Sequence, residues 1–531
     1  MGSLVGTRAL VRLALRRDRV LLPVWILALV ATASSSASAT AGFYPTEASR
    51  VQASASLNNT PSLVALYGRV YDPTSLGAIS MLKLTAIGAV LVAVLSIMTV
   101  VRHTRAEEET GRLELLGATV VGRQAPLAAA LIVVAGMDAV LGLLTAAGLM
   151  ASGLPADGAV AFGLAWTTVG IAFAAVAAVS AQLTQSARTA NGIAISALGA
   201  AYLLRAIGDS AGDGGARWLS WLSPVGWGQQ VRAFAGDRWP VLSLPVAFAL
   251  VLAPLAYVLA ARRDLGAGLV ATRPGSADAP ASLRSPLALA WRLQRGALFG
   301  WAAGFVVLGA VLGNIASNIG GLLDSPQAKE LITRLGGEKS LTDAFLATEL
   351  GIMGVIAAAF GIQAAMRLRS EETALRAEPL LATAVGRTRW ALGHITIAVL
   401  GTTLLLVSAG LAAGLAHAAQ TRDAGQVGRV LAGALVQLPA AWVLTGIVVA
   451  AFGLAPRWTV AGWAALVAFL LLGELGPLMQ LPRAMLDLSP FAHVPRLPGA
   501  QLTATPLVVL LLVAVALTGA GLAGFRRRDI G

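Results

Sequence analysis

The chain has 531 residues, 57% apolar and 12% charged, with a formal net charge of +13 and no cysteine. A soluble domain covers its surface with about 25% charged residues, so a water-soluble globular protein is excluded. Without cysteine there is no disulfide, thiolate metal site or catalytic thiol. The four histidines, His103, His394, His417 and His493, share no ligand spacing, and no metal site is expected. The basic excess reads as the positive-inside bias of a membrane protein, not as a nucleic-acid surface.

In chain order, Arg8, Arg12, Arg16, Arg17 and Arg19 lead into an apolar run from Val20. The pattern imitates a cleavable export signal. It recurs in mid-chain, however: Arg16-x-x-Arg19-x5-Trp25 and Arg292-x-x-Arg295-x5-Trp301 share one spacing. The first run is therefore expected to be an uncleaved helix. A bilayer core of about 30 Å takes roughly 20 helical residues to cross. Crossings are predicted near 20–40, 81–101, 125–150, 158–183, 190–208 and 241–261, then near 297–317, 346–366, 391–417, 429–454, 459–479 and 506–525. The runs are continuous and do not alternate, which favours helices over barrel strands. The expected fold is an all-α membrane protein of about 12 transmembrane helices in two tandem six-helix halves, with both termini inside. Residues 1–266 form the first half, 267–286 a cytoplasmic linker and 287–531 the second half. With that topology about 25 of the 39 basic residues, but only about 11 of the 26 acids, lie on the inner side.

Two further landmarks recur in order. Glu108-Glu109-Thr110 followed by Ala118-Thr119-x-Val121-Gly122-Arg123 returns as Glu371-Glu372-Thr373 followed by Ala382-Thr383-x-Val385-Gly386-Arg387, with one residue inserted. Leu222-Ser223-Pro224, and a last helix ending Arg262-Arg263-Asp264, return as Leu488-Ser489-Pro490 and Arg527-Arg528-Asp529. Two parallel halves related by an axis along the membrane normal are expected.

The segments Arg102–Arg123 and Arg367–Arg389 are the most informative. Acids open each one, as suits a helix N-terminus. Leu113, Leu116 and Val120 can share one face, and Gly122 marks a plausible end. A short amphipathic helix at the inner surface can lie in the head groups or enter a partner's groove, and two copies suit two partners.

This layout resembles ABC-2 type permeases, and more closely the fused twelve-helix actinobacterial exporters of polyketide antibiotics. Arg105-Ala-Glu-Glu-Glu-Thr-Gly-Arg-Leu-Glu-Leu-Leu-Gly-Ala118, Val121-Gly122-Arg123 and the two Leu-Ser-Pro segments carry the resemblance. It implies that the segment after each second helix is a coupling helix docking on a separate ATP-binding subunit. The implied docking residues are Glu107, Glu108, Glu109, Thr110, Gly111, Arg112 and Glu114, and in the second half Glu371, Glu372, Thr373, Arg376 and Glu378. Gly111 has no glycine counterpart and Pro379 replaces Leu115, so the second copy departs from the first. The resemblance also implies a basic interfacial helix before each first crossing, at Leu10–Arg19 and Leu287–Arg295. A partly re-entrant element is implied before each last crossing, at 223–240 and 489–506.

The chain has only three lysines, Lys83, Lys329 and Lys339, and none stands in a G-x4-G-K-[ST] loop. It is therefore not read as an enzyme and holds no cofactor of its own; ATP and Mg belong to the expected partner. The implied partners are two copies of an ABC ATP-binding protein, the lipid bilayer and a small amphiphilic substrate, without nucleic acid. The implied location is the bacterial cytoplasmic membrane. Asp138, Arg205, Glu349, His417 and Glu474 fall in or near crossings, where charges usually face a cavity or a partner. Asp138 is the candidate pathway residue, and an Arg205–Glu474 ion pair is a further expectation. The rival readings are an ion-coupled secondary transporter with two parallel halves and a membrane-embedded lipid or glycan transferase. Against them, no coherent set of membrane carboxylates, acid pair or histidine cluster is visible.

Overall fold

A computed structural model describes residues 2–211, 215–270, 278–317, 338–475 and 482–529. Every regular element among the described residues is helical, and eleven helical spans are long and apolar enough to cross a bilayer, Gly425–Leu454 being counted as one. The chain divides into two compact units, Met1–Gly275 and Ser276–Gly531.

In the first unit, α1 (Thr7–Arg17) and α2 (Leu21–Phe43) are separate helices. Proline has no N–H to continue a helix from the preceding turn, so Pro23 is tolerated only in the first turn of α2. The joint is fixed by Asp18. Its carboxylate is fully buried, 2.5 Å from His103 and 3.1 Å from Arg102 at the end of α5 (Leu76–His103). Between α2 and α5 lie α3 (Glu47–Asn58) and α4 (Pro61–Tyr67), which the hydropathy pattern does not announce. The Thr46 hydroxyl accepts from the Ser49 amide at the start of α3, and Pro61 opens α4. Asn58 then ties the pair down by a reciprocal bond to the Val70 backbone, 2.9 Å in each direction.

The predicted amphipathic helix after α5 is instead two short helices, α6 (Arg105–Glu109) and α7 (Arg112–Gly117). The break is Gly111, with φ +72, a conformation that glycine adopts without a Cβ clash. Gly122 does not end a helix. An added Cβ there would lie 2.2 Å from the Ser3 carbonyl oxygen, so it allows the N-terminal strand of chain to pass. The core is α5 packed on α8 (Ala125–Ala151) and α9 (Ala156–Leu183), with Trp166 buried and its indole N–H donating to the Leu84 carbonyl. After α10 (Ala187–Ser210) comes a 3-10 turn at Arg217–Leu222; α11 (Pro224–Gln230) then lies in the stretch 223–240 expected for a re-entrant element, and α12 (Ser243–Ala261) follows. The Ser223 hydroxyl caps α11 by accepting from the Gly226 amide, with Pro224 at the first helical position. One end of the unit thus holds α1, α6, α7 and the C-terminus of α12, and is its basic end. The opposite end holds α3, α4 and α11.

In the second unit, α13 (Pro286–Ser317) runs unbroken, whereas a separate interfacial helix is expected. The repeat spacing puts Phe299 where the first unit has Pro23, and Gln294 where it has Asp18. Neither interrupts a helix, and Gln294 bonds His394 at 3.1 Å. Next come α14 (Glu338–Ala365), α15 (Arg367–Thr373), α16 (Ala377–Leu381) and α17 (Arg387–Thr421). The expected crossing at 429–454 is two helices, α18 (Gly425–Leu435) and α19 (Leu438–Leu454), because Pro439 cannot supply the N–H that would carry the ladder through. The crossing expected at 459–479 is described as α20 (Ala461–Leu475); residues 476–481 lie outside the described residues. A short helix α21 (Arg483–Leu486) and a turn at Pro490–His493 precede α22 (Ala504–Arg527). Here α19 and α22 touch through glycines: a Cβ on Gly453 would lie 1.8 Å from the Gly521 carbonyl oxygen.

Candidate functional site

Each unit builds the same ion cluster around one buried carboxylate at its basic end. In the first, the Glu108 carboxylate accepts from both terminal nitrogens of Arg263, at 2.6 and 2.8 Å, and from Arg105 at 2.6 Å. Arg105 is itself fully buried, with its remaining donors on the carbonyls of Ala181 and Ala267. In the second, Glu372 accepts from both terminal nitrogens of Arg528, at 2.6 and 2.8 Å, and from Arg369 at 3.1 Å. The match extends outward. Arg123 donates to the carbonyls of Arg263 and Ala260, and Arg387 to those of Arg528 and Arg526. The second and third repeat landmarks are thus in contact, 155 residues apart in one unit and 156 in the other.

This geometry corrects the register of the repeat. Glu372, not Glu371, stands in the place of Glu108, so the apparent one-residue insertion is absent at the cluster. With that register Leu375 replaces Gly111, and it adopts the same left-handed conformation, φ +56.

The expected docking residues divide by environment. Glu108, Glu371 and Glu372 are enclosed in ion pairs; Glu371 pairs with Arg367 at 2.6 Å and Arg376 at 3.0 Å. Glu107 joins Arg17 of α1 to Arg112, the latter at 3.6 Å. Glu109 accepts from the Ala187 amide, satisfying one of the orphan N–H groups at the start of α10. Thr110, Arg112 and Glu114 are exposed, as are Thr373, Arg376 and Glu378. Two large apolar side chains stand out beside them: Leu115 is 75% exposed and Leu375 63%. Each segment is therefore a clamped base carrying a bare tip. The arginines that clamp it, Arg263 and Arg528, appear in the sequence as repeat landmarks; their contact with the carboxylates is long-range and has no local signal.

The polar residues inside the helical bundle are less alike. Asp138 is fully buried among α5, α8 and α9, where the Ser96 hydroxyl lies 3.0 and 3.1 Å from its two carboxylate oxygens. Its carboxylate is seated against Gly170, where an added Cβ would come within 2.5 Å. Arg205 finds its partners within its own unit: Asp209 at 3.6 Å, the Leu66 carbonyl at 3.1 Å, and the Tyr202 ring beneath the guanidinium. The Glu474 side chain lies outside the described residues, and with it the expected Arg205–Glu474 pair. Among the described residues no group of His, Cys, Asp and Glu is placed to hold a metal ion. In the second unit a cavity of about 430 Å³ opens between α14, α20 and the Pro490 turn, with Ile352, Val355, Phe469 and Phe491 among its largely apolar walls.

Residues 283–526 match the family described as the C-terminal domain of multidrug efflux system permease Rv1217c. The chain is 46% identical over 532 residues to the multidrug efflux system permease protein Rv1217c of Mycobacterium tuberculosis (strain ATCC 25618 / H37Rv), an overlap of 100% of this chain and 96% of that protein. The chain belongs to the family of multidrug efflux system permeases. The permease is a multi-pass protein of the bacterial inner membrane. The matched segment falls wholly inside the second compact unit.

Proposed function

We propose that this permease is the membrane subunit of an ABC-2 type exporter, moving amphiphilic or hydrophobic drug-like compounds outward on ATP hydrolysed by a separate subunit. Polyketide-type antibiotics are the substrate class that the family resemblance suggests. Two copies of the ATP-binding subunit, which would carry the nucleotide and Mg, dock on the two tips at α6–α7 and α15–α16. The basic end, with both termini, faces the cytoplasm. The two units are copies of one six-helix plan, and α20 completes a set of twelve crossings.

The observation that carries this reading is the pair of exposed tips, each fixed to the last helix of its unit by a buried arginine–carboxylate cluster. An exposed leucine beside mixed charges suits a partner groove, and the rigid base behind it suits transmission of force. The apolar cavity of the second unit supports an amphiphilic cargo. The test is co-expression and co-purification with candidate ABC ATP-binding proteins from the same organism. Reversing exposed charges, Glu114→Lys with Arg376→Glu, is expected to abolish the complex while the permease stays folded. Retention of a full complex by that double variant, or tips labelled from outside intact cells, would overturn the proposal.

A further inference from the structure

Helix α1 carries a ladder of arginines. Arg8, Arg12 and Arg16 recur at every fourth residue, so they share one face, with rungs about 6 Å apart along the axis. The opposite face is used by the fold: Ala14 is buried and Leu10 half-buried where α1 packs on α8. All three ladder arginines are exposed, and among the described residues their guanidinium groups enter no ion pair or hydrogen bond. Two acids close to the helix are engaged elsewhere. Glu107 holds Arg17 and Arg112, and the buried Asp18 holds His103 and Arg102. Leu13 and Leu15 stand exposed on the two flanks of the ladder. Only residues 18–20 separate α1 from the crossing α2, so the ladder is held at the membrane surface. A basic helix with bare leucines in that place lies at the head-group boundary. Guanidinium groups there take phosphate oxygens in bidentate pairs.

The same helix is strapped to the α6–α7 segment at both ends. Ahead of it, the Gly122 amide donates to the Val5 carbonyl at 2.9 Å and the Gln124 amide to the Ser3 carbonyl at 3.0 Å. Gly6, at φ +87, then turns the chain into α1. At its far end Arg17 pairs with Glu107 of α6, which also holds Arg112 at the start of α7. A load on the ladder is therefore passed to the α6–α7 segment from two sides. The second unit has neither device. By the repeat spacing Ala288 stands in the place of Arg12 and Leu293 in that of Arg17, while Arg284 precedes the first residue of α13. Glu371, the counterpart of Glu107, pairs with Arg367 and Arg376 of its own segment.

From the exposed ladder and its two straps, we infer that α1 is a receptor for the phosphate groups of anionic phospholipids, and that lipid bound there steadies the α6–α7 segment. The first unit alone would then read the charge of the leaflet. The effect on docking deepens the exporter reading and rests on it, as does the choice of the inner leaflet; lipid binding rests on neither.

The experiment places the full-length permease in phosphatidylcholine nanodiscs holding a minor share of phosphatidylglycerol, and native mass spectrometry identifies the phospholipids that stay bound on release. Phosphatidylglycerol is expected to be enriched on the wild type. Arg8→Gln with Arg12→Gln and Arg16→Gln should cut that enrichment at least about tenfold, since each arginine near a charged surface is worth about fivefold. Arg292→Gln with Arg295→Gln, which removes exposed charge from the second unit, should leave it unchanged. Undiminished enrichment in the ladder variant, or an equal loss in the second-unit variant, overturns the inference. Should the triple variant fail to fold, Arg12→Gln alone is expected to lower enrichment about fivefold and serves the same comparison. Hydrogen exchange reads the straps. In the wild type, amides over 105–124 should exchange more slowly with phosphatidylglycerol present than in phosphatidylcholine alone, and the ladder variant should lose that difference. Exchange there that ignores phosphatidylglycerol in the wild type overturns the steadying of the segment. No ATP-binding subunit or nucleotide enters these assays, so their failure and that of the exporter reading are told apart.

Discussion

Leu375 occupies a backbone conformation that its homologous position gives to glycine. A left-handed residue with a Cβ costs about 1–2 kcal/mol, partly offset by the extra unfolded-state freedom of glycine. Leu375→Gly is therefore expected to raise the thermal unfolding midpoint, by a net stabilisation of about 1 kcal/mol or less, while weakening the second docking contact if the leucine is held by the partner. A lowered midpoint would show that Leu375 is packed and not strained. Gly158→Leu tests the seat of the Phe234 ring, which lies 2.2 Å from where an added Cβ at 158 would stand. The added side chain collides with the ring, and a loss of about 1–3 kcal/mol in thermal unfolding is expected; an unchanged midpoint would show that the ring is free to move aside. Such features are poorly legible in a sequence. Pro439 carries a local signal, a missing donor, that the expectation of one crossing over 429–454 does not use; nothing in the letter L at 375 reveals a positive φ. Within its own unit Arg205 pairs with Asp209, one helical turn on, a pair that spacing alone offers.

At the scale of elements, the clamp makes a quantitative claim. Removing one member of a buried pair leaves the other charge uncompensated, at about 3–5 kcal/mol. Glu108→Gln or Arg263→Met alone should each destabilise the permease by that order in thermal unfolding, and the double replacement should recover part of the loss. Additive losses would mean that the two side chains do not act as a pair. The long helices were legible because each is a continuous apolar run of the length a bilayer demands. Helices α3 and α4 were not: α3 is short and rich in alanine and serine and is tied down by Asn58, while α4 is only seven residues long and buries Leu63 and Val64 without a run long enough to announce itself. The clamp is half legible: both landmarks stand out as repeats, yet their meeting across some 155 residues is tertiary.

For the whole molecule, the docking proposal predicts a count. Glu114→Lys alone and Glu378→Lys alone should each reduce the complex from two ATP-binding subunits per permease to one, read by native mass spectrometry. An unchanged stoichiometry in both would remove the tips from the mechanism. Because the chain has no cysteine, single cysteines at Thr74 and Glu114 give clean accessibility probes. Impermeant maleimide on intact cells should reach the first only.

On the docking proposal, the two units would also differ in how a push at the base is carried onward. In the first, the surface helix meets its crossing at an elbow pinned by Asp18; in the second, α13 is a single rod of 32 residues. An elbow can flex where a rod must swing as a lever. Equal strokes from two identical engines would then produce unequal displacements, and spin labels on α1 and on the start of α13 should report different excursions over one ATP cycle.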